Sequence, residues 1–556
     1  MISAFRAEDV RAAEAPLLAQ ETGFGNGLMH RAATALAVAV QRELRVAVGQ
    51  VVGTAAVGLV GRGNNGGDTL HALALLARRG VRCTAVLTSA TVHDGGLAAL
   101  QAAGGVVLAV VDGAPGERVW IGDALAEAFS ADVVLDGLLG IGGRGGLRDE
   151  AAELVVLLAE LLDTDTGRQQ GSGRPGPRQP PVTVAVDVPS GIGVDDGVVH
   201  GPVLPADLTV TFGALKPGLL LPPASRLAGR VELVDLGLTP VLASQTRQPA
   251  VDRLTGDDLQ ALWPVPGRTA HKYSRGVAGI VAGSSAYPGA AVLAVAGALG
   301  AGCGMVRYVG PYDVTNGVRA AHPEVVAGDG RVQAWVVGPG VDPADREQVA
   351  QVRRALADAQ EHGLPVVLDA GALGLLRGPV GPLAVLTPHA GELATFLAAG
   401  GLDVDRAGVE AEPLRWARVA QAATGATVLL KGATTLVVGP EGAFAQDDAP
   451  PWLATAGAGD VLAGVLGALL AGHADELRDE PSLVPRLAAL AAAVHGRAAH
   501  AANPGGPVTA SAVASALPAV VADLLSAAPW SAPGRRARFG HASRAGRGHA
   551  SRRRGR

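Results

Sequence analysis

Twice along the chain, short runs of β-branched and aliphatic residues alternate with Ala- and Leu-rich stretches of helical length, once from Val51 to about Val241 and again from near Val277. Such alternation calls for βαβ units, in which each strand reaches a parallel neighbour through a helical crossover, so both stretches are committed to mostly parallel sheets. The fold class is therefore α/β. A length of 556 residues is too great for one small domain, and the two patterns divide it. Polar residues mixed with Pro and Gly around Thr246 to Pro249 mark the boundary, which predicts one domain over residues 1–246 and a second over 249–528. The halves share a class but no motif, and no internal repeat is visible.

Composition narrows the function. A hydrophobic content of 48% excludes a largely disordered chain. Residues 529–556 hold nine arginines and no carboxylate, so the formal charge of -5 becomes -14 for everything before them. An acidic folded part argues against a nucleic-acid-binding core, and the tail reads as a disordered basic extension. Cys83 and Cys303 lie far apart, which suggests neither a disulfide framework nor a cysteine metal site and suits a reducing cytoplasm. Arg6, Glu8, Asp9, Arg11 and Glu14 interrupt any signal-peptide apolar run. The stretch Ala290 to Val306 is apolar but short and Gly-interrupted, so it predicts a buried helix rather than a membrane span. Asp163 to Pro181 reads as a low-complexity mobile loop between a helix and a strand.

Only three lysines (Lys216, Lys272, Lys431) and five asparagines occur, so each merits attention. Asn64 and Asn65 stand in "GRGNNGGD", between a strand predicted over Ala55 to Val60 and a helix predicted from about Thr69 to Arg79. Glycines there turn the backbone sharply and present its N–H groups beside a helix start, which welcomes an anionic group. Amides and the Asp68 carboxylate add recognition of a polar ligand, although an Asx turn with Asp68 as a cap would use the same residues. Two further strands end at Asp136 and at Asp187, the latter before Pro189, Ser190 and Gly191. In an open parallel sheet the ligand crevice lies beyond the carboxyl ends of the strands, so Asn64, Asp136 and Asp187 should converge. Asp187 suits general acid–base work. Asp136 with Asn65 and Ser190 offers hard oxygen ligands, better matched to an s-block cation than to zinc.

The second half repeats this logic. "ATAGAGDVLAG" sets a Gly-rich loop before a helix predicted from about Asp460, so the amides of Gly457 to Asp460 should form a nest for a phosphoryl group, with Asp460 beside it as a base. Gly338 and Gly340, His389 and Glu392, and Lys431 close other strands. Singly, His389 reads as a surface histidine and Lys431 as a solvated charge; together with the GxGD start they form a combination that chance rarely delivers.

At these residues the sequence resembles a known family. "GRGNNGGD", "LDGLLGIGGRGG", "AVDVPSGIGVDDG" and "TFGALKPGLL" are similar to the epimerase domain of bifunctional NAD(P)H-hydrate repair enzymes, and "HKYSRG", "GSSAYPGAA", "TPHAGE", "LLKGATT" and "ATAGAGDVLAG" to their ribokinase-like dehydratase domain. The resemblance implies a Rossmann-like parallel-sheet first domain and a ribokinase-like α/β second domain. It implies epimerisation of R- and S-NAD(P)H hydrates in the first half. In the second it implies ADP-dependent dehydration of the S-hydrate to NAD(P)H, releasing AMP and phosphate. By the same resemblance, Asn64, Asn65, Gly66, Gly67 and Asp68, the loop Gly140, Ile141, Gly142, Gly143, Arg144, Gly145 and Gly146, and catalytic Asp187 contact the hydrated dinucleotide, while Asn65, Asp136 and Ser190 bind potassium. Ala290, Gly340, His389 and catalytic Asp460 would contact the hydrate in the second half, and Lys431, Gly432, Ala433, Thr434, Thr435 and Gly459 the adenine nucleotide. Lys216, in the "KPG" segment, is expected as a phosphate or loop contact. ADP or ATP, Mg2+ with the nucleotide and a cytoplasmic homo-oligomer complete the expectation, with no membrane or nucleic-acid partner. Two positions depart from the family pattern: "LDAGAL" has Gly371 where a second acid is usual, so any role there passes to Asp369 or is lost, and "APP" (Ala449 to Pro451) replaces Gly-Asn-Pro. The competing reading is a ribokinase-like vitamin kinase fused to a noncatalytic nucleotide-binding module.

Overall fold

The computed structural model describes residues 1–21, 27–143, 145–172 and 180–526. Arg144 and the basic tail 529–556 thus lie outside the described residues. Strand β1 (Ile2–Ala4) stands apart from those that follow it. Eight strands build the first sheet: β2 (Ala55–Val60), β3 (Arg82–Leu87), β4 (Val106–Ala109), β5 (Glu117–Arg118), β6 (Val133–Gly137), β7 (Val182–Val186), β8 (Leu208–Phe212) and β9 (Arg230–Val234). They run wholly parallel in the order β5-β4-β3-β2-β6-β7-β8-β9. From β2 the chain works outward to β5, then resumes at β6 on the other side of β2. That reversal opens a crevice at the carboxyl ends of β2 and β6. Helices cover both faces, which is why β2 is buried at five of its six positions and reads as an unbroken apolar run.

Ten later strands form the second sheet with β1: β10 (Val251–Arg253), β11 (Val277–Val281), β12 (Met305–Val309), β13 (Val326–Ala327), β14 (Ala334–Val337), β15 (Val366–Leu368), β16 (Ala384–Leu386), β17 (Thr427–Leu430), β18 (Thr435–Val438) and β19 (Ala443–Gln446). Their order is β1-β10-β19-β18-β17-β16-β15-β14-β11-β12-β13, with a second reversal between β11 and β14. β1 pairs antiparallel with β10, so the first residues of the chain close the edge of the second sheet, and Phe5 N–H then donates to Leu215 O at 2.8 Å in the first half. The N-terminus stitches the halves together.

Local structure departs from the sequence reading in three places. The helix after β2 begins at Asn64 rather than near Thr69 and ends at Ala77, so the Asn-Asn-Gly-Gly-Asp motif is its first turn. Glycine is a poor helix former, yet a Cβ on Gly66 would come within 2.3 Å of the Gly61 carbonyl oxygen, and close packing overrides propensity. Ala290 to Val306 divides into a helix, Pro288–Gly300, and the start of β12. In the stretch read as a loop, the helix Asp149–Ser172 continues through the first part, and residues 173–179 lie outside the described residues.

The second helix core is built from small residues. Helix Ala458–Gly472 lies against Pro288–Gly300 so closely that a Cβ on Gly464 would meet Ala294 O at 1.9 Å, and one on Gly297 would meet Val461 O at 2.3 Å. Fully buried leucines such as Leu466, Leu470 and Leu487 each contribute about 1.5–3 kcal/mol by leaving water, and they fix the start of the 458–472 helix against the sheet. Among the described residues no helix is long and apolar enough to cross a membrane.

Two candidate active sites

Beyond the carboxyl ends of β2 and β6 lies a cavity of about 1200 Å³. Asn64, Asn65, Asp68, Gly140 to Gly143, Gly146 and Asp187 line it, as the sequence reading expects. Gly66 and Gly67 do not: both are buried, and a Cβ on Gly67 would meet the His93 ring at 2.9 Å, so they serve packing. Gly145 borders a smaller neighbouring cleft of about 360 Å³. Leu28, Met29 and Ala32 of the helix Leu28–Ala47 and Leu236 give the cavity an apolar side.

At its floor Asp187 sits just past β7 with φ +67°, a strained conformation for a residue bearing a Cβ and one that recurs at functional sites. Lys216, 1% exposed, pairs with Asp187 Oδ1 and donates to Thr211 Oγ1 at 3.0 Å and Phe212 O at 2.8 Å. Lys216, expected as a phosphate or loop contact, is thus a partner of the candidate acid. Thr211 Oγ1 and Phe212 N also donate to Oδ1, at 3.2 Å each, while Oδ2 accepts from none of the described residues. Two more carboxyls share the lysine's field. Burial, reinforced by Asp187 and Glu14, pushes Asp68 well above the usual carboxylate range against the pull of Lys216, and Asp68 Oδ1 has no hydrogen-bond partner among the described residues. Glu14 is raised by burial and by Asp187, opposed by Lys216 and Arg11. Glu14 and Arg11 come from the helix Ala7–Leu18, where Arg11 also donates to Ile141 O across the cavity mouth. Sequence reasoning used both residues only to exclude a signal peptide.

Behind this wall Asp136 is fully buried. Ser190 Oγ and N donate to it at 2.6 and 2.8 Å, Leu138 N at 3.3 Å, and Leu139 N in turn donates to Ser190 Oγ at 2.8 Å. Burial raises its pKa despite the Ser190 bonds, and no Lys or Arg among the described residues pairs with it. Asn65 lies beside Gly140, and its buried Nδ2 has no partner among the described residues. Turning the amide over would present its oxygen there instead. A buried carboxylate without a counter-charge, a hydroxyl and a free amide fit a hard monovalent cation.

The second site gathers at the carboxyl ends of β14 to β17. Lys431 Nζ donates to Asp369 Oδ1 at 2.9 Å and lies 3.6 Å from Glu392 Oε2; Thr387 Oγ1 also donates to Asp369, at 2.8 Å. Burial disfavours the charge on Lys431, but Asp369, Glu392 and Asp460 outweigh it and raise its pKa. Gly457, at φ +85°, caps the helix Ala458–Gly472, and a Cβ on Gly459 would stand 3.2 Å from Lys431 Nζ, so the lysine lies over the helix start. Asp460, in the first turn, has its pKa pushed up to about 7 by burial and by Asp369 and Glu392, which together outweigh Lys431. His495, wholly buried behind this turn and hydrogen-bonded to the Ala458 backbone, is lowered to about 4 by burial and stays neutral.

Other expected residues take varied places. His389 caps the helix Ala390–Ala399: its Nδ1 accepts from Glu392 N at 3.1 Å while its own N–H donates to Glu392 Oε2 at 2.8 Å. Lys431 N donates to Pro388 O at 2.8 Å, which sets His389 next to the lysine. Gly340 (φ +64°) and Ala290 touch, since a Cβ on Gly340 would lie 2.6 Å from Ala290 Cβ. Thr435 pairs with Gln446 in β18–β19, Gly432 is exposed, and Ala433 and Thr434 line a different cavity, between the halves. At Gly371 any side chain would press on Val341 O, 2.3 Å from its Cβ, and the acid that engages Lys431 is Asp369.

Comparison with known proteins finds relatives of each half. The profile of NAD(P)H-hydrate dehydratases matches residues 278–518, and that of the YjeF-related protein N-terminus matches residues 25–218. The bifunctional NAD(P)H-hydrate repair enzyme Nnr of Mycobacterium tuberculosis is 41% identical over 486 residues, covering 84% of this chain and 89% of that one. The NAD(P)H-hydrate epimerase of Clavibacter sepedonicus is 44% identical over 237 residues, 42% of this chain and 90% of its own. A crystal structure of the ADP/ATP-dependent NAD(P)H-hydrate dehydratase of Bacillus subtilis, co-crystallised with ATP/Mg2+, is similar at 26% identity and a TM-score of 0.43, covering 49% of this chain and 99% of that one. With a Rossmann-like first half, a ribokinase-like second half and both profiles matched in order, the chain belongs to the family of bifunctional NAD(P)H-hydrate repair enzymes.

Proposed function

We propose that residues 1–246 interconvert the R and S C6-hydrates of NADH and NADPH, and that residues 249–528 dehydrate the S-hydrate using ADP or ATP, in the cytoplasm where the reduced coenzymes form. The observation that carries this reading is one lysine among three carboxyls at each crevice, with a carboxyl held above the usual carboxylate range in each.

In the first site the hydrate can epimerise by loss and return of the C6 oxygen or by ring opening and closure. Either route moves a proton on and off that oxygen. Lys216 and its neighbours hold Asp187 by Oδ1 alone, which leaves Oδ2 to take and return the proton. Asp68 and Glu14, both raised, can store one proton beside it without a buried excess of negative charge. Potassium held by Asn65, Asp136 and Ser190 would supply the missing counter-charge. Asp136 and Ser190 brace Leu138 and Leu139, and so hold the 140–143 loop over the cavity.

In the second site, Asp460 takes the proton from the C6 hydroxyl as that oxygen attacks the terminal phosphoryl of the nucleotide, and AMP leaves when the donor is ADP. The amides at Gly457 to Asp460 and the Lys431 ammonium face the phosphoryl charge, with Mg2+ expected to accompany the nucleotide. The ring nitrogen then expels phosphate from C6, and loss of a proton from C5 restores the dihydropyridine. Phosphorylation converts hydroxide into a competent leaving group.

Chemically hydrated NADH, both epimers together, incubated with the protein and ADP or ATP in turn, tests the reading. Full recovery of dihydronicotinamide absorbance is expected. Recovery that stops at the S fraction removes the epimerase assignment, and none with either nucleotide removes the dehydratase.

A further inference from the structure

Between the halves lies a cavity of about 1000 Å³ that shares no lining residue with the crevice beyond β2 and β6. Its apolar walls include Phe5, Leu215, Val231 and Leu242 from the first half, and Arg253 and Thr434 reach it from the second. It sits at the rim of the seam where Leu220 and Leu221 pack against Leu393, Leu430 and Val438. Three arginines border it. Arg247 donates to Asp9 at 2.8 Å and Arg253 pairs with Asp447 at 2.7 Å, so their charges are matched. Arg226 has no partner among the described residues, and beside it the buried Oγ of Ser225 has none either. A cationic fork and an unsatisfied hydroxyl at the edge of an apolar chamber are the complement of a molecule with an anionic head and an apolar body.

We propose that this cavity binds a small amphipathic anion, a carboxylate, sulfonate or phosphate on an aromatic or aliphatic frame, and that it is a regulatory site. The wall segment Gly213–Leu215 joins Phe212 to Lys216, two of the three residues that hold Asp187, and Ala433 lies two residues past Lys431. Occupancy therefore bears on backbone that is continuous with both catalytic centres.

The probe is 8-anilinonaphthalene-1-sulfonate, titrated by fluorescence into the full-length protein. Saturable binding is expected, weakened at least tenfold by Arg226→Glu and abolished by Ala243→Trp, whose exposed small side chain borders the cavity and leaves room to fill it without disturbing the core. Neither residue belongs to a catalytic site, so hydrate repair without the probe should persist in both variants and show that they fold. Affinity unchanged in both variants, or complete displacement of the probe by ADP or NADPH, overturns the proposal.

Discussion

The two crevices assemble the same kit, a lysine and three carboxyls, and wire it differently. In the first, the lysine is 1% exposed and its partner is the candidate acid itself, Asp187. In the second, the lysine is more open, with 21% of its side chain exposed, and its direct partner is a supporting residue, Asp369. Asp460 has no ion pair among the described residues, and its pKa is pushed up to about 7. The difference matches the chemistry. An epimerase returns every proton it borrows and gains from a closed cluster with stored protons, whereas the phosphoryl-transfer site needs a free base at working pH and room for a second substrate. The lysine thus holds the proposed acid itself in the first cluster and a supporting carboxyl in the second.

Changing one member of each cluster tests that contrast, and the largest effect is expected at Asp460. Asp460→Ala should lower nucleotide-dependent dehydration by about 10³–10⁴-fold, since no other unpaired carboxyl lies at the helix start, while epimerisation, followed by chromatography of the two hydrates, stays intact. Equal loss of both activities would break the division of labour. Lys216→Met should cost about 3–5 kcal/mol of stability, because it strands Asp187 in a buried cluster of like charges. Lys431→Met should cost less, its site being open to water, and thermal unfolding of the two variants gives the order directly. Asp187→Asn keeps the shape and suits the left-handed backbone, and Asp68 and Glu14 remain to offset the Lys216 charge, so it should fold, yet slow epimerisation by about 10²–10³-fold with dehydration of the S-hydrate unaffected.

Much of this arrangement was legible because strands in a parallel sheet end at a common rim, so polar residues at strand ends announce themselves. β2, Asp187 and Lys431 follow from that rule, and Asp460 from the Gly-rich loop that precedes its helix. What escaped was contributed across the fold. Glu14 and Arg11 sit on an ordinary N-terminal helix, and only its docking over the β2–β6 crevice gives them a role. Lys216 looked like a loop residue because its partner, Asp187, is 29 positions away. Nothing in the three residues Ile2–Ala4 marks them as an edge strand of the distant sheet; their pairing is decided by the open side of β10. The early start of the 64–77 helix was hidden for the opposite reason: its glycines argue locally against a helix and are required by contacts with Gly61 and His93.

The subtlest test concerns the proton itself. Asp460 must be ionised to act as a base and its pKa is raised to about 7, so dehydration should be constant above that pH and fall roughly tenfold per unit below it. Asp369 contributes to that elevation twice: its charge repels a carboxylate at Asp460, and by holding Lys431 at 2.9 Å it keeps the ammonium from pairing there. In Asp369→Asn both influences act in one direction, since the repulsion vanishes and the lysine is freed toward Asp460. The inflection of the pH–rate profile should therefore move to lower pH even where the maximal rate declines. An inflection that stays near 7 would mean that neither the charge of Asp369 nor its hold on Lys431 sets the Asp460 proton.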